Sequence, residues 1–407
     1  MQEKSKIIAL VTASHLSSCP RLLKEAELLD QLGYEIHIVY LNSVPLIEEL
    51  DKEIVRKNIH WNFYPIYWYG KNSNLIQKYI SKIKHQFFHQ LKINSDYIQS
   101  TSDILIKNTI KIKADVYIAH HPSVLVAVAK AAKKYNAKYI YDIEDAFSFM
   151  KTQHSCQPDK NIFYVESKYI HQASLLSFAS PLYKNLYIQT FQLKNKMIDM
   201  LNTFNINDQK VIKYKDRRDL KKISFYWHSQ TVGLNRGLQD LIAALSDFDH
   251  HQWELHIRGH CTKEVKSELL KSLANTDAVE SVFFHQAISS IELPFRTKEH
   301  DIGLALEIQT SINRDLAISN KILEYIASGL CIIATNTQGH RFVMEKMDAK
   351  NFIYSNFEGL KEIIASFFDQ KFDIKKYKNI SMNLAKSELN LALQSKNWLA
   401  EMKDLFN

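Results

Sequence analysis

Short β-rich apolar runs alternate with helix-period segments along this chain, and few architectures accommodate that alternation. In the first half the runs are IIALVT (7–12), YEIHIVYL (34–41), DVYIAH (115–120) and KYIYDI (138–143). Between them, PRLLKEAELLDQLG places Leu22, Ala26 and Leu29 on one helical face with Gly33 as a stop, and PSVLVAVAKAAKKY begins at Pro122. Strand, helix, strand in repetition gives a parallel sheet covered on both faces. The pattern restarts beyond the polar stretch NINDQKVIKYKDRRDLKK (205–222), with KISFYW, WELHIRG, SVFFHQ, DIGLAL, LCIIAT and NFIY as strands of a second unit. At 407 residues the chain also exceeds what one hydrophobic core organises. The expected fold class is therefore α/β, with two Rossmann-like doubly wound domains. The first spans 1–205 and the second 206–385, and a closing helical segment, 386–407, can fold back on the first domain. Doubly wound domains take ligands at the carboxyl ends of their strands, so a central cleft between the two is the expected site.

Glycine placement removes two enzyme classes. Only nine glycines occur, two of them (Gly33 and Gly70) in the first half. The first strand exits into TASHLSSCPR, where a nicotinamide or flavin enzyme needs Gly-x-Gly-x-x-Gly, and no Gly-x-x-x-x-Gly-Lys-Ser/Thr loop is present. A formal charge of +8 favours anionic partners such as nucleotides, phosphates or acidic lipid head groups. Cys19, Cys156, Cys261 and Cys331 are too scattered for a zinc site or a disulfide framework, which suits a reducing compartment. No window of about 18 apolar residues occurs, so the expected location is the cytoplasm.

The most informative stretch is SNKILEYIASGLCIIATNTQGH (319–340). Ser319 or Asn320 suits a helix N-cap and Gly329 its end. At about 100° per residue, Ile322, Leu323 and Ile326 share one face, while Lys321 and Glu324 fall within about 60° of each other on the opposite side and are expected to look out together. Free N–H groups and the helix dipole make such a start an anion site, and Lys321 adds a full charge. Glu324, one turn deeper, can accept two hydrogen bonds from a vicinal diol such as a ribose. Lysine for phosphate and glutamate for sugar describe a nucleotide; the alternative is an i,i+3 ion pair on a solvated face.

NKILEYIASGLCIIATNTQG resembles the donor-site segment of the retaining family-four glycosyltransferases of GT-B fold. Further pieces match in the same order: SSCPRLLKEAELLDQLGYEIHIVYL, DVYIAHHPSVLVAVAKAAKKYNAKYIYDIED, WHSQTVGLNRGLQDLIAAL, WELHIRG and DIGLAL, over roughly residues 7 to 345. The resemblance implies that Arg236 in LNRGL and Lys321 grip the donor pyrophosphate, flanked by Ser319 and Asn320, and that Glu324 holds the nucleotide ribose. It places His120 in AHHP near the reacting sugar, where it orients a donor hydroxyl or the acceptor. A histidine capping the strand end is the alternative, and His121 competes for the role. Ser14, His15 and Ser17 occupy the loop that relatives bring close to the donor, where they can bond phosphate or acceptor or form a plain loop.

One position departs from the family pattern. Many members carry a second glutamate eight residues before the Glu324 counterpart; Leu316 stands there, and Glu307 is the replacement candidate for contact with the donor sugar. The resemblance implies transfer of a sugar, with UDP the default nucleotide, to a hydroxyl of a glycan, glycolipid or protein-linked acceptor with retention, in bacterial surface-polysaccharide or glycoconjugate synthesis. No cofactor and no metal are expected, because Lys321, Arg236 and the helix dipole neutralise the diphosphate and no Asp-x-Asp motif occurs; nucleic acid is not an expected partner. Two rivals stand beside this reading: a non-catalytic nucleotide-sugar-binding or assembly subunit, suggested by Leu316, and a non-hydrolysing nucleotide-sugar epimerase.

Residues 75–92, LIQKYISKIKHQFFHQLK, set Ile76, Ile80, Ile83, Phe87 and Leu91 at helical spacing with Lys78, Lys82, Lys84 and Lys92 elsewhere. Such a helix either buries its stripe against the first domain or lies on an anionic membrane, which would put the protein on the inner face of the cytoplasmic membrane.

Overall fold

A computed structural model describes residues 5–91, 93–150, 160–205, 221–289 and 292–406. Cys156, Lys92 and most of the polar stretch 205–222 lie outside the described residues. The chain divides into two compact units, residues 1–200 with 311–313 and 395–407, and residues 201–310 with 314–394.

The first unit is built on a seven-stranded sheet from β1 (Ile7–Val11), β2 (Glu35–Asn42), β3 (Asn62–Tyr67), β4 (Val116–Ala119), β5 (Lys138–Ile143), β6 (Leu175–Phe178) and β7 (Met197–Asp199), in the order β3-β2-β1-β4-β5-β6-β7. Neighbouring strands are parallel throughout, with Ile8 opposite Ile36 on one side and Val116 on the other. Its central strands are buried on both faces, which is why they read as unbroken apolar runs. Pro65 sits in β3, an edge strand, where a missing N–H donor costs no ladder bond on the open side. The closing residues 395–407 belong to this unit: Trp398 is fully buried, and the Phe406 ring lies 5.0 Å from that of Tyr34.

The second unit carries six parallel strands, β8 (Ile223–Thr231), β9 (Trp253–His260), β10 (Val282–His285), β11 (Ile302–Ala305), β12 (Cys331–Thr335) and β13 (Ile353–Tyr354), ordered β10-β9-β8-β11-β12-β13. Trp227, Trp253, Phe225 and Tyr325 are among its core residues. Strand order reverses between β1 and β4 in the first sheet and between β8 and β11 in the second. In each unit the carboxyl ends beside that reversal form the crevice where such sheets bind ligands.

Of the two alternatives for the helix Leu75–Gln90, burial of its apolar stripe against the first domain does not hold: Ile76, Tyr79, Ile83 and Phe87 are exposed. Among the described residues no helix is long and apolar enough to cross a membrane.

Candidate functional site

The helix Asn320–Ser328 forms as the sequence pattern demands. Ser319, in extended conformation, caps its start and its Oγ accepts the Ile322 N–H at 3.4 Å, while Gly329 ends it at φ 69° in the left-handed region. The helix is buried from Ile322 to Ser328 against β11, β12 and the helices Leu293–Thr297 and Ile374–Ser387, so only its first turn is open.

That first turn borders a cavity of about 280 Å³ lined by Arg236, Arg314, Lys321, Glu307, His340 and Trp227, with Ser319 and Asn320 at the helix start. The cavity lies at the carboxyl ends of β8 and β11, the reversal point of the second sheet. Arg236 reaches it because Gly237, which precedes the helix Leu238–Leu245 as its N-cap, adopts φ 78°; a Cβ there would stand 2.7 Å from the Leu306 Cβ, so the turn can lie this close only without one. Lys321 Nζ donates to Glu307 Oε1 at 2.6 Å and stands 5.6 Å from the centre of the Trp227 ring. The other carboxylate oxygen of Glu307 is 3.2 Å from His340 Nε2, and His340 donates through Nδ1 to the Thr335 carbonyl at 3.0 Å. Burial raises the Glu307 carboxyl, but Lys321 and His340 outweigh it and hold it well below the usual carboxylate range. Gly339 lets His340 approach, since a Cβ at 339 would meet the Ala317 carbonyl oxygen at 1.9 Å.

Glu324 requires a correction. It does not look out beside Lys321: it is 2% exposed, its Oε1 accepts from Thr297 Oγ1 at 2.6 Å, and its Oε2 lies 3.3 Å from His228 Nε2. The angular separation from Lys321 is that of any i,i+3 pair, but the helix Leu293–Thr297 and the end of β8 cover the side on which Glu324 falls. Burial, reinforced by Lys321 and Arg258, pushes the His228 imidazole down to about 3, and the carboxylates nearby do not offset it. A folded-state value below the unfolded one, about 6.5, means that His228 contributes stability in full above that pH and loses it as the pH falls. Thermal melts at pH 7 and pH 5 therefore show a smaller acid-induced drop in His228→Gln than in the parent protein; equal drops would remove the assignment of a neutral buried imidazole.

In the first unit the loop residues have structural partners. His15 Nε2 accepts the backbone N–H groups of Ser43 and Val44 at 3.0 and 2.9 Å, so Nδ1 carries the proton and donates it to Asp51 at 2.6 Å. Ser17 donates to the other Asp51 oxygen through both N–H and Oγ, and Ser14 bonds Thr12 Oγ1 through its N–H. His120 follows β4 and is 2% exposed. Its Nε2 faces Glu25 at 3.3 Å and its Nδ1 faces Glu144 at 3.1 Å and Asp142 at 3.4 Å, which leaves neither ring nitrogen directed at solvent. Burial opposes its charge, but these carboxylates prevail and push the imidazole well above its usual value. His121 instead caps the helix Pro122–Tyr135, accepting the Ser123 N–H, and burial pushes it down to about 4.

Arg21 closes the His120 cluster. Its Nε and one terminal nitrogen fork onto Asp142 at 2.6 and 2.7 Å, and it donates further to Met200 O at 2.5 Å and Ser177 Oγ at 3.1 Å. Glu25, His120 and Asp142 present ligand atoms within 4.8 Å of one another, as do Asp249, His250 and His251 at the surface. In the first group the Arg21 guanidinium already supplies the positive charge a cation would bring.

Sequence reasoning identified Arg236, Lys321 and Glu307, which the structure brings to one cavity, and Ser319 and Asn320 at its edge. It missed Arg314, Trp227 and His340 on the same cavity, and Arg21, Glu25 and Asp142 around His120. A charged residue two positions before Leu316 was the available signal for Arg314; the others carry none in local pattern.

No family model matches the chain, and no curated protein matches it. Among solved structures it is similar to a glycosyltransferase from Rickettsia africae (16% identity, 99% of each chain covered, TM-score 0.68). It is also similar to the Anabaena protein HepE in complex with UDP (14% identity, 98% of this chain and 100% of that one, TM-score 0.69). A candidate UDP-N-acetylglucosamine 2-epimerase from Listeria monocytogenes shares the architecture too (10% identity, 99% and 97% covered, TM-score 0.60). Two parallel-sheet α/β units, of seven and six strands, together with these likenesses, establish that the chain has the GT-B fold.

Proposed function

We propose that the protein is a glycosyltransferase that moves a sugar from a nucleoside diphosphate sugar, with UDP favoured, to a hydroxyl of a glycan, glycolipid or protein-linked acceptor with retained configuration, in bacterial surface-polysaccharide or glycoconjugate synthesis on the cytoplasmic side of a membrane. The observation that carries this reading is the cavity at the start of Asn320–Ser328, which, among the described residues, is lined by three cations, Arg236, Arg314 and Lys321, and one carboxylate, Glu307. That surplus suits a diphosphate, and the HepE complex with UDP supports uridine as its carrier.

On this reading the bond between the sugar C1 and the β-phosphate oxygen breaks as the acceptor oxygen bonds C1 from the same face, and the acceptor proton passes to the departing phosphate oxygen. Negative charge grows on the diphosphate meanwhile, and the guanidinium and ammonium groups stabilise it there without needing a metal ion. On this reading Glu307, which lines the cavity, accepts from sugar or ribose hydroxyls, and Glu324 reaches a ribose only if its bond to Thr297 opens.

Buried Leu316, in place of a family glutamate, favours a binding subunit as the second reading, and the likeness to an epimerase supplies a third. Incubation with a panel of nucleotide sugars separates them: transfer requires nucleotide release that accelerates when a hydroxylated acceptor is added. Isomerised donor would convert the reading to an epimerase, and tight binding without turnover to a binding subunit.

A further inference from the structure

The helix Leu75–Gln90 is mounted with its polarity reversed. Its polar side faces the protein: Lys78 Nζ donates to Trp68 O at 2.8 Å, Ser81 Oγ to Ser100 O at 2.6 Å, Lys84 Nζ to Asp103 at 2.6 Å and His85 Nδ1 to Tyr97 O at 2.9 Å. Lys78 and Ser81, and then the adjacent pair Lys84 and His85, follow one another at three to four positions and hold one face inward. The opposite face carries Ile76 at 74% exposure, Tyr79 at 68%, Ile83 at 47% and Phe87 at 55%. An apolar stripe of this length, about 24 Å for sixteen residues, is not left in water by chance placement of single side chains.

We infer that this outer face is a membrane-docking surface that lies in the head-group region of a bilayer containing anionic lipid. Charge selects that occupant. From residue 54 to residue 95 the sequence contains no Asp or Glu but seven Lys or Arg, of which Arg56, Lys57 and Lys84 pair with Glu49, Glu53 and Asp103. Lys71 and Lys82 are exposed, Lys71 just before the helix and Lys82 on its outer half. Tyr69 and Tyr79, also exposed, present an apolar ring with a polar tip, the side-chain type that settles at a lipid–water boundary. A second copy of the chain would bring an equally cationic patch against this one, since a two-fold contact sets like against like. A basic helix with one apolar side instead gains from both acyl contact and anionic head groups. The inference does not depend on the nucleotide-sugar reading, because none of these residues lines the cavity of the second unit.

Flotation of the purified full chain with phosphatidylcholine vesicles, with and without phosphatidylglycerol, tests it. Binding is expected to the anionic vesicles, to weaken at high salt, and to fall at least about 100-fold in partition coefficient in the double variant I83D and F87D, from loss of two inserted apolar side chains. Both side chains are exposed, so the variant keeps the parent melting temperature and UDP affinity. Absence of vesicle binding by the parent protein overturns the proposal, as does equal binding by the double variant. A dimer that the double variant abolishes, with no vesicle binding, assigns the face to self-association instead.

Discussion

Replacing Lys321 by alanine lowers affinity for UDP by about 10- to 100-fold in a calorimetric titration, the change expected when one charge-assisted hydrogen bond to phosphate, worth about 1.5–3 kcal/mol, is removed. Two effects act in the same direction. The ammonium disappears from the mouth of a helix whose first turn is the only open part, and Glu307 loses the partner that stands 2.6 Å away. A carboxylate with only His340 beside it then faces the incoming diphosphate. Adding Glu307→Gln to Lys321→Ala removes that second effect and restores part of the affinity. Arg236→Ala, at an exposed turn, weakens UDP binding without altering the melting temperature. Unchanged affinity in both Lys321→Ala and Arg236→Ala would place the nucleotide elsewhere and end the proposed assignment of this cavity.

Arg21→Leu has the largest expected effect on stability, about 3–5 kcal/mol in the denaturant midpoint analysis. Arg21 is 1% exposed and its guanidinium serves Asp142, Ser177 and the Met200 carbonyl at once. Leucine removes that charge and leaves Asp142 and Glu25, both fully buried, with His120 as their remaining cation in the group. The cost depends on pH in a defined sense. Burial raises the Asp142 carboxyl, but Arg21 and His120 outweigh it and hold it well below the usual carboxylate range. Its contribution is therefore complete above the unfolded value, about 3.9, and is lost as the pH falls through the folded one, so the difference between parent and variant narrows in strong acid. A destabilisation below about 1 kcal/mol at pH 7 would show that water or rearranged side chains replace the guanidinium readily.

The strands were legible where burial on both faces makes the apolar run continuous, as in IIALVT, KISFYW and LCIIAT, because no solvent face interrupts the pattern. β3 was not, since Pro65 argues against a strand unless its place at the sheet edge is known. β6 and β7, four and three residues long, were not among the expected strands. Within the site, Lys321 was legible because a first-turn lysine is defined by local geometry, whereas Arg236 was reached only through the resemblance of LNRGL to a family segment. Glu324 was misjudged because a helical wheel gives the angle between two side chains but not what stands outside the helix, here Thr297 and His228. Arg314, Trp227 and His340 come from separate segments that only the second sheet and its loops bring together.

The Lys321–Glu307 pair has a kinetic consequence if the proposed reaction is the true one. An ammonium already matched by its own carboxylate must exchange partners when a diphosphate enters, and takes the first one back when the diphosphate leaves. Glu307 thus acts as a built-in competitor for the spent nucleotide, shortening its residence and trading tightness for turnover.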